Sequence, residues 1–139
     1  MVGQESTSMT NWFARAVFHV KDVEVSRRFY LERLGFTSPW HYDEGGRVRI
    51  AQVERQGSAL ILTDMWPEKI GKALLFVSMD GDAETQTATL DGLRAELESR
   101  GAAVKDGTWG YRLLVVDDPD GNQLYFNYPA DSRAAKPEE

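Results

Sequence analysis

Apolar and polar residues alternate in several short stretches of the chain, and this alternation predicts β-strands. In the first stretch, residues 12–20, the even positions are apolar from Ala14 onward, whereas Arg15 and His19 lie at odd positions. Because successive side chains of a strand point to opposite faces, Arg15 and His19 are expected on the face that does not pack against the helices. Similar stretches predict further strands over residues 36–43, 47–54, 58–64, 73–80, 102–106, 111–118 and 122–129.

The first predicted helix covers residues 23–34, where apolar residues recur at helical spacing. It follows Asp22, whose side chain can cap a helix, and it ends at Gly35, a residue that favours the left-handed conformation of a helix end. We expect this helix to bury three apolar side chains, those of Val25, Phe29 and Leu34.

The second predicted helix covers residues 88–100 and follows a predicted loop over residues 81–87. Gly101 ends it. Its apolar face is formed by three leucines, Leu90, Leu93 and Leu97.

The order strand, helix, three strands therefore occurs twice, as a repeat of roughly 55 to 60 residues. We expect a single α+β domain over residues 1–139, built from module one at about 12–66 and module two at about 72–130. The polar stretches 1–11 and 130–139 show no periodicity and are expected to be flexible tails.

Composition narrows the class of protein. The absence of cysteine excludes disulfides, thiol nucleophiles and thiolate metal sites, and it fits a cytoplasmic protein. A formal net charge of −6 argues against nucleic acid as a partner, since phosphate binding requires clustered Lys and Arg. No stretch is long and apolar enough to predict a membrane span, and no secretory signal is expected.

Two motifs and the order of elements carry a family resemblance. The motifs are FYLERLGF at 29–36 and DPDGN at 118–122. With the βαβββ-βαβββ order, they resemble the glyoxalase, bleomycin-resistance and extradiol-dioxygenase superfamily over residues 13–129. The resemblance implies two modules whose curled mixed sheets surround a cleft, with the helices on the outer face.

Enzymes of this superfamily hold a divalent metal with His, Glu or Gln side chains in that cleft. The matching positions of this chain are occupied by Arg15, Ile61, Leu74 and Tyr125. These side chains do not form a donor set for a hard divalent cation. The resemblance therefore implies a protein without a metal, without another cofactor and without catalytic residues of the usual kind.

A third motif brings the resemblance closer to the bleomycin-resistance branch. Trp109, Gly110 and Arg112 precede DPDGN as they do in that branch, although Leu113 and Leu114 replace its usual Glu-Phe. In the branch, two chains associate as a homodimer, and clefts between them hold a planar drug without altering it. The implied ligand is a planar aromatic molecule, which can carry positive charge. The implied ligand-binding residues are Arg15, His19, Trp40, Trp109, Tyr111, Arg112 and Tyr125.

Two other functions remain open at this point. One is a metal-dependent glyoxalase, lyase or dioxygenase with relocated ligands, for which His19 and His41 are the only histidines. The other is a non-catalytic binder of a metabolite. The sequence also leaves open whether the two modules pair within one chain or across two.

Overall fold

The computed structural model describes residues 10–130, which form two four-stranded mixed sheets and two long helices. The strand–helix–three-strand order occurs twice, which confirms the predicted α+β fold of two βαβββ modules. The predicted flexible tails fall almost entirely outside the described residues. In chain order the elements are β1 (Ala16–His19), α1 (Val23–Leu34), β2 (Thr37–Glu44), β3 (Arg47–Arg55), β4 (Ser58–Thr63), a short 3-10 helix (Pro67–Lys69), β5 (Leu74–Val77), α2 (Ala83–Ser99), β6 (Val104–Thr108), β7 (Arg112–Asp117) and β8 (Gln123–Asn127).

The two sheets have the same topology. The first has the strand order β1-β4-β3-β2 and the second β5-β8-β7-β6. In each sheet the first strand pairs in parallel with the last, and the remaining pairs are antiparallel. The helix-facing side chains of both sheets belong to one hydrophobic core. Each sheet therefore has a helix-covered face and an open face.

The ends of α1 are as predicted, and its buried side is partly so, since Leu34 is buried and Phe29 is half-buried. The Asp22 carboxylate accepts a hydrogen bond from the Val25 backbone N–H at 3.0 Å, and Gly35 has a φ of 72°. The expectation that Val25 is buried was wrong, because that side chain is 49% exposed. The buried side of the helix starts two residues before Val25 and includes a serine and a tyrosine. Its members are Val23, Ser26, Tyr30 and Leu34.

The start of α2 also differs from the prediction. The helix begins at Ala83 rather than Ala88, because the Asp82 carboxylate caps it by accepting from the Thr85 backbone N–H at 2.8 Å. Most of the predicted loop at 81–87 is therefore helical. The predicted leucine face is confirmed, with Leu90 and Leu97 buried and Leu93 half-buried. Neither helix in the described part of the chain is long and apolar enough to cross a membrane.

The first strand is shorter than predicted. Pairing with β4 begins at Ala16, so residues 12–15 lie outside the sheet, and Ala14 is exposed rather than packed. Trp12 and Phe13 are 96% and 80% exposed. Within the described part of the chain, these large apolar side chains thus lack neighbours that would bury them.

The DPDGN motif forms the predicted hairpin turn between β7 and β8 and also joins the two modules. The Tyr30 hydroxyl donates to Asp118 Oδ2 at 3.0 Å. Asn122 Nδ2 donates to the carbonyl oxygen of His19 at 3.1 Å, while its Oδ1 accepts from the Ala73 backbone N–H at 3.0 Å. Burial is the main reason that the pKa values of the Tyr30 hydroxyl and the Asp118 carboxyl lie above their ordinary values.

Candidate ligand-binding site

The open face of the first sheet carries the predicted residues of module one. Strand register places Gln52 opposite both Trp40 and Ile61, and Ile61 lies beside Val17 of β1. All four side chains therefore point away from α1. His19, two residues after Val17, is on the same face, as the alternation predicted. We call this surface the first open face.

A buried glutamine organises the first open face. Gln52 Oε1 accepts hydrogen bonds from Arg15 Nη1 at 2.8 Å and from Trp40 Nε1 at 2.9 Å. Its Nε2 donates to Glu54 Oε1 at 2.7 Å. Gln52 thus fixes the orientation of the Trp40 ring, which remains 40% exposed, and holds the Arg15 guanidinium close to that ring.

His19 lies at the end of the first open face, against the segment that joins the modules. Its ring contacts Trp66 edge-on, with centroids 5.9 Å apart. Burial, and secondarily the charge of Lys69, lowers the pKa of His19, so the imidazole is neutral at pH 7. Its Nδ1 atom is buried and has no hydrogen-bond partner among residues 10–130. His19 therefore adds a neutral polar ring, not a positive charge.

The open face of the second sheet carries a cluster of three aromatic rings. Trp109 contacts Phe76 at a centroid distance of 5.4 Å and Tyr125 at 5.9 Å, both at steep interplanar angles. Beside Tyr125, the same face carries Leu113 and Val115, which are buried. Trp109 is held from two sides and is still 58% exposed. We call this surface the second open face.

The remaining two predicted residues lie apart from this cluster. The Tyr111 carbonyl oxygen accepts from the Trp109 backbone N–H at 3.0 Å, so Tyr111 shapes the loop, but its ring does not stack on Trp109. Arg112 occupies the opposite face of β7 from Leu113, and its guanidinium lies 4.1 Å from the centre of the Tyr128 ring. The structure therefore does not bring Arg112 together with Trp109 and Tyr125.

The two open faces are separate surfaces within one chain. Among the described residues, no hydrogen bond, ion pair or ring contact joins Arg15, His19 or Trp40 to Trp109 or Tyr125. Both faces point away from the shared core. A cleft that uses both sets of residues therefore requires that the faces of two chains meet.

Three of the four positions matched to metal ligands lie on the open faces, and the fourth, Arg15, precedes β1 and reaches the first open face with its side chain. Gln52 binds Arg15 on the first face, which also carries Ile61, while Leu74 and Tyr125 share the second face with Phe76. One of these side chains is cationic, two are aliphatic and one is phenolic. Such a set does not provide the ligands that a divalent metal ion requires. In the part of the chain that the structure describes, no group of three or more His, Asp or Glu side chains could hold a metal ion.

Sequence reasoning missed two residues of these surfaces. Gln52 is a polar residue in the middle of the apolar stretch 50–53, and that position could have marked it as a hydrogen-bonding centre. Phe76 lies in a continuous apolar run, where alternation does not distinguish one face from the other.

Solved structures share this fold. The antibiotic binding protein TnmS3 from Streptomyces sp. CB03234 is 27% identical, with a TM-score of 0.63 over 87% of this chain and 98% of that chain. A glyoxalase/bleomycin resistance protein from the same organism is 28% identical, with a TM-score of 0.59 over 82% and 99%. The bleomycin-binding protein of Streptomyces verticillus, solved with copper(II)-bleomycin, is 20% identical, with a TM-score of 0.64 over 87% and 99%.

Family membership rests on the sequence match as well as on the fold. No curated protein matches the chain. The model of the Glyoxalase/Bleomycin resistance protein/Dioxygenase superfamily matches residues 12–126, which is most of the chain. The chain therefore belongs to the glyoxalase/bleomycin resistance protein/dioxygenase superfamily.

Proposed function

We propose that this protein binds a small molecule in the manner of bleomycin-resistance proteins and sequesters a planar aromatic ligand, neutral or cationic, without altering it. The ligand would lie in a cleft between the first open face of one chain and the second open face of another. The observation that carries this proposal is that Trp40 and Trp109 are both fixed in place and both substantially exposed.

Fixed and exposed rings suit the binding of flat molecules. Aromatic rings stack on planar heterocycles with a gain of about 0.5–1.5 kcal/mol beyond the area that they bury. Little conformational entropy is lost on binding when the side chain is already held, as Gln52 holds Trp40 and as Phe76 and Tyr125 hold Trp109. The N–H group of Trp40 is already satisfied, so stacking against its ring leaves no polar atom unpaired.

The charges on the first open face are balanced, and this supports a ligand that is either neutral or cationic. Arg15 donates to Gln52, and Gln52 in turn donates to the Glu54 carboxylate. His19 is neutral at pH 7 because its pKa is lowered. A cationic ring would gain a further attraction of about 0.5–2 kcal/mol from the faces of the two tryptophans.

A homodimer would complete the site. Apolar side chains on or near both open faces are exposed in the single chain, and covering them would stabilise an assembly. They are Phe13, Val17, Trp40, Tyr42, Leu74 and Trp109. TnmS3, to which the chain is similar, is described as an antibiotic binding protein, and this supports the class of ligand. We also propose that the protein is located in the cytoplasm.

The test is a titration of the protein with bleomycin, metal-free and copper(II)-loaded, and with a panel of planar aromatic antibiotics. We expect saturable quenching of tryptophan fluorescence by at least one compound, and recovery of that compound unchanged by mass spectrometry. Trp109→Ala should abolish binding. Arg112→Gln, on the opposite face of the same sheet, is the control and should bind as the wild type does.

Two results would contradict the proposal. If Trp109→Ala binds with unchanged affinity, the second open face is not the site. If the ligand is recovered chemically changed, the protein is an enzyme and not a sequestering binder.

A further inference from the structure

Two opposite charges on the first open face are held apart by one side chain. Gln52 Oε1 accepts from Arg15 Nη1 at 2.8 Å, and Gln52 Nε2 donates to Glu54 Oε1 at 2.7 Å. Glu54 follows Gln52 by two residues on β3, so both side chains point to this face. The guanidinium and the carboxylate thus bind opposite ends of one amide, and the bonded nitrogen and oxygen atoms are about 8 Å apart at most.

The orientation of the Gln52 amide is determined by its partners. A guanidinium and an indole N–H can only donate hydrogen bonds, and a carboxylate can only accept them. Because Arg15 and Trp40 both bind the amide oxygen, the NH₂ group must point to Glu54. The buried Gln52 side chain therefore acts as a spacer that keeps the two charges from pairing directly.

Both charged groups can bind a further partner. Within residues 10–130, neither Arg15 nor Glu54 forms an ion pair, and Glu54 Oε2 accepts no hydrogen bond. The Arg15 guanidinium has more N–H donors than the one that binds Gln52. Its contact with the Phe13 ring, at 5.3 Å, does not neutralise its charge. Arg15 is exposed and Glu54 is half-buried, so a ligand can reach both.

We propose that Arg15 and Glu54 determine the specificity of the cleft, and that its ligand is a planar aromatic zwitterion. This inference rests on the proposed function and names the class of ligand. The flat ring stacks on Trp40, an anionic group of the ligand binds the Arg15 guanidinium, and an ammonium group binds Glu54 Oε2. A ligand with only one of these charges leaves one of the two protein charges without a partner.

Three naphthalene probes of the same flat shape differ only in charge. 6-(Aminomethyl)-2-naphthoate is a zwitterion, its methyl ester keeps only the ammonium group, and 6-methyl-2-naphthoate keeps only the carboxylate. Titration is followed by the indole ¹H–¹⁵N resonance of Trp40, which Trp40→Phe assigns. We expect the zwitterion to bind about three-fold more tightly than either of the other probes, the gain expected for one additional exposed ion pair.

Each site variant should remove one of the two gains. In Glu54→Gln the zwitterion should bind no more tightly than the probe with only a carboxylate. In Arg15→Gln it should bind no more tightly than the probe with only an ammonium group. The controls Glu32→Gln and Arg28→Gln make the same changes of net charge at exposed positions of α1, and they should leave the preference for the zwitterion intact.

Three results would overturn this inference. Equal affinities of the three probes for the wild type would show that the two charges do not select the ligand, and loss of that binding in Trp109→Ala would leave the proposed cleft standing. A preference for the zwitterion that persists in both Glu54→Gln and Arg15→Gln would place the recognition of charge elsewhere. Saturable binding of none of the probes would refute the zwitterion class, while the titration with antibiotics decides separately on the proposed function.

Discussion

Trp40 and Gln52 face each other on neighbouring strands, and the indole Nε1 of Trp40 donates a 2.9 Å hydrogen bond to Oε1 of Gln52. The same oxygen accepts from Arg15 at 2.8 Å. One buried side chain therefore positions both an exposed aromatic ring and a positive charge on the first open face.

Replacing Gln52 with leucine should release both partners. We expect Gln52→Leu to lower the free energy of unfolding by about 1 kcal/mol, because Trp40 and Arg15 can turn to water after losing their acceptor. The indole ¹H–¹⁵N resonance of Trp40 should shift. Gln123→Leu, a matched change on the second open face, should leave that resonance in place. An unshifted Trp40 resonance in Gln52→Leu would contradict a positioning role.

A mixture of two inactive variants should recover binding. If each cleft uses Trp40 of one chain and Trp109 of the other, a heterodimer of Trp40→Ala and Trp109→Ala contains one intact cleft. When equal amounts of the two variants exchange chains at random, about half of the dimers are heterodimers. Each heterodimer has one intact cleft of two, so about a quarter of all clefts should be restored. The number of sites is measured by titration after the chains have been exchanged.

The control for this experiment is each variant alone, which should show no sites under the same conditions. If the mixture also shows none although mass analysis detects heterodimers, both tryptophans of a cleft come from the same chain.

Stability should depend on pH through Glu96. Hydrogen bonding to Arg55, and then to Arg100, lowers the pKa of Glu96 below its ordinary value. Its contribution is therefore complete above the unfolded-state pKa, about 4.3, and is lost as the pH falls through the folded-state pKa. Glu96→Gln should be about 1 kcal/mol less stable than wild type at pH 7, with the difference vanishing in strong acid. Urea unfolding across pH measures this.

The matched control is Glu98→Gln on the same helix, where the ion pair with Arg94 is 4.0 Å long and exposed. We expect it to have a smaller effect at pH 7 than Glu96→Gln. A stability difference for Glu96→Gln that persists unchanged at low pH would show that the effect does not come from its charge.

Two glycine-to-alanine substitutions should have opposite effects. Gly92→Ala should raise the free energy of unfolding by about 0.5–1 kcal/mol, because the helix gains alanine and the new Cβ meets no heavy atom within 4 Å. Gly35→Ala should lower it, since Gly35 has a φ of 72° and a Cβ there would lie 2.7 Å from Arg55 Nη1. Thermal and urea unfolding test both. A destabilising Gly92→Ala would indicate that this part of α2 packs more closely.

Protein purified without a chelator should contain less than one metal ion per chain, and EDTA should not change its affinity for a metal-free ligand. The reason is the chemistry of Arg15, Ile61, Leu74 and Tyr125 at the positions where related enzymes hold metal. Metal analysis by mass spectrometry tests the first statement. Stoichiometric iron, nickel, manganese or zinc would favour the metal-dependent alternative.

The sequence predicted the fold well because local chemistry determines much of it. The caps of α1 follow from Asp22 and Gly35 alone, and the β7–β8 turn follows from DPDGN. The errors occurred where longer-range contacts decide. Ser26 and Tyr30 are buried in place of Val25, in part because Asp118, which is distant in sequence, accepts a hydrogen bond from Tyr30.

The candidate site could be predicted only in part. Alternation identified the face that carries His19, because side-chain direction is a local property of a strand. It did not show that Arg15 and Trp40 share an acceptor, since that contact depends on the register of four strands. The alternation of side chains along a strand also places Arg112 on the opposite face of β7 from Leu113. The motif similarity had nevertheless grouped Arg112 with Trp109 in one site.

The hydrogen bonds of Asn122 to both modules have a consequence for how the protein can be divided. Its side chain is fully buried and joins His19 of the first module to Ala73 at the start of the second. Either half expressed alone would leave these polar atoms without their partners, so we expect neither half to fold as an independent unit. The angle between the two open faces is thus set in part at a hairpin turn that belongs to neither face, and an engineer who wishes to reshape the proposed cleft should begin there.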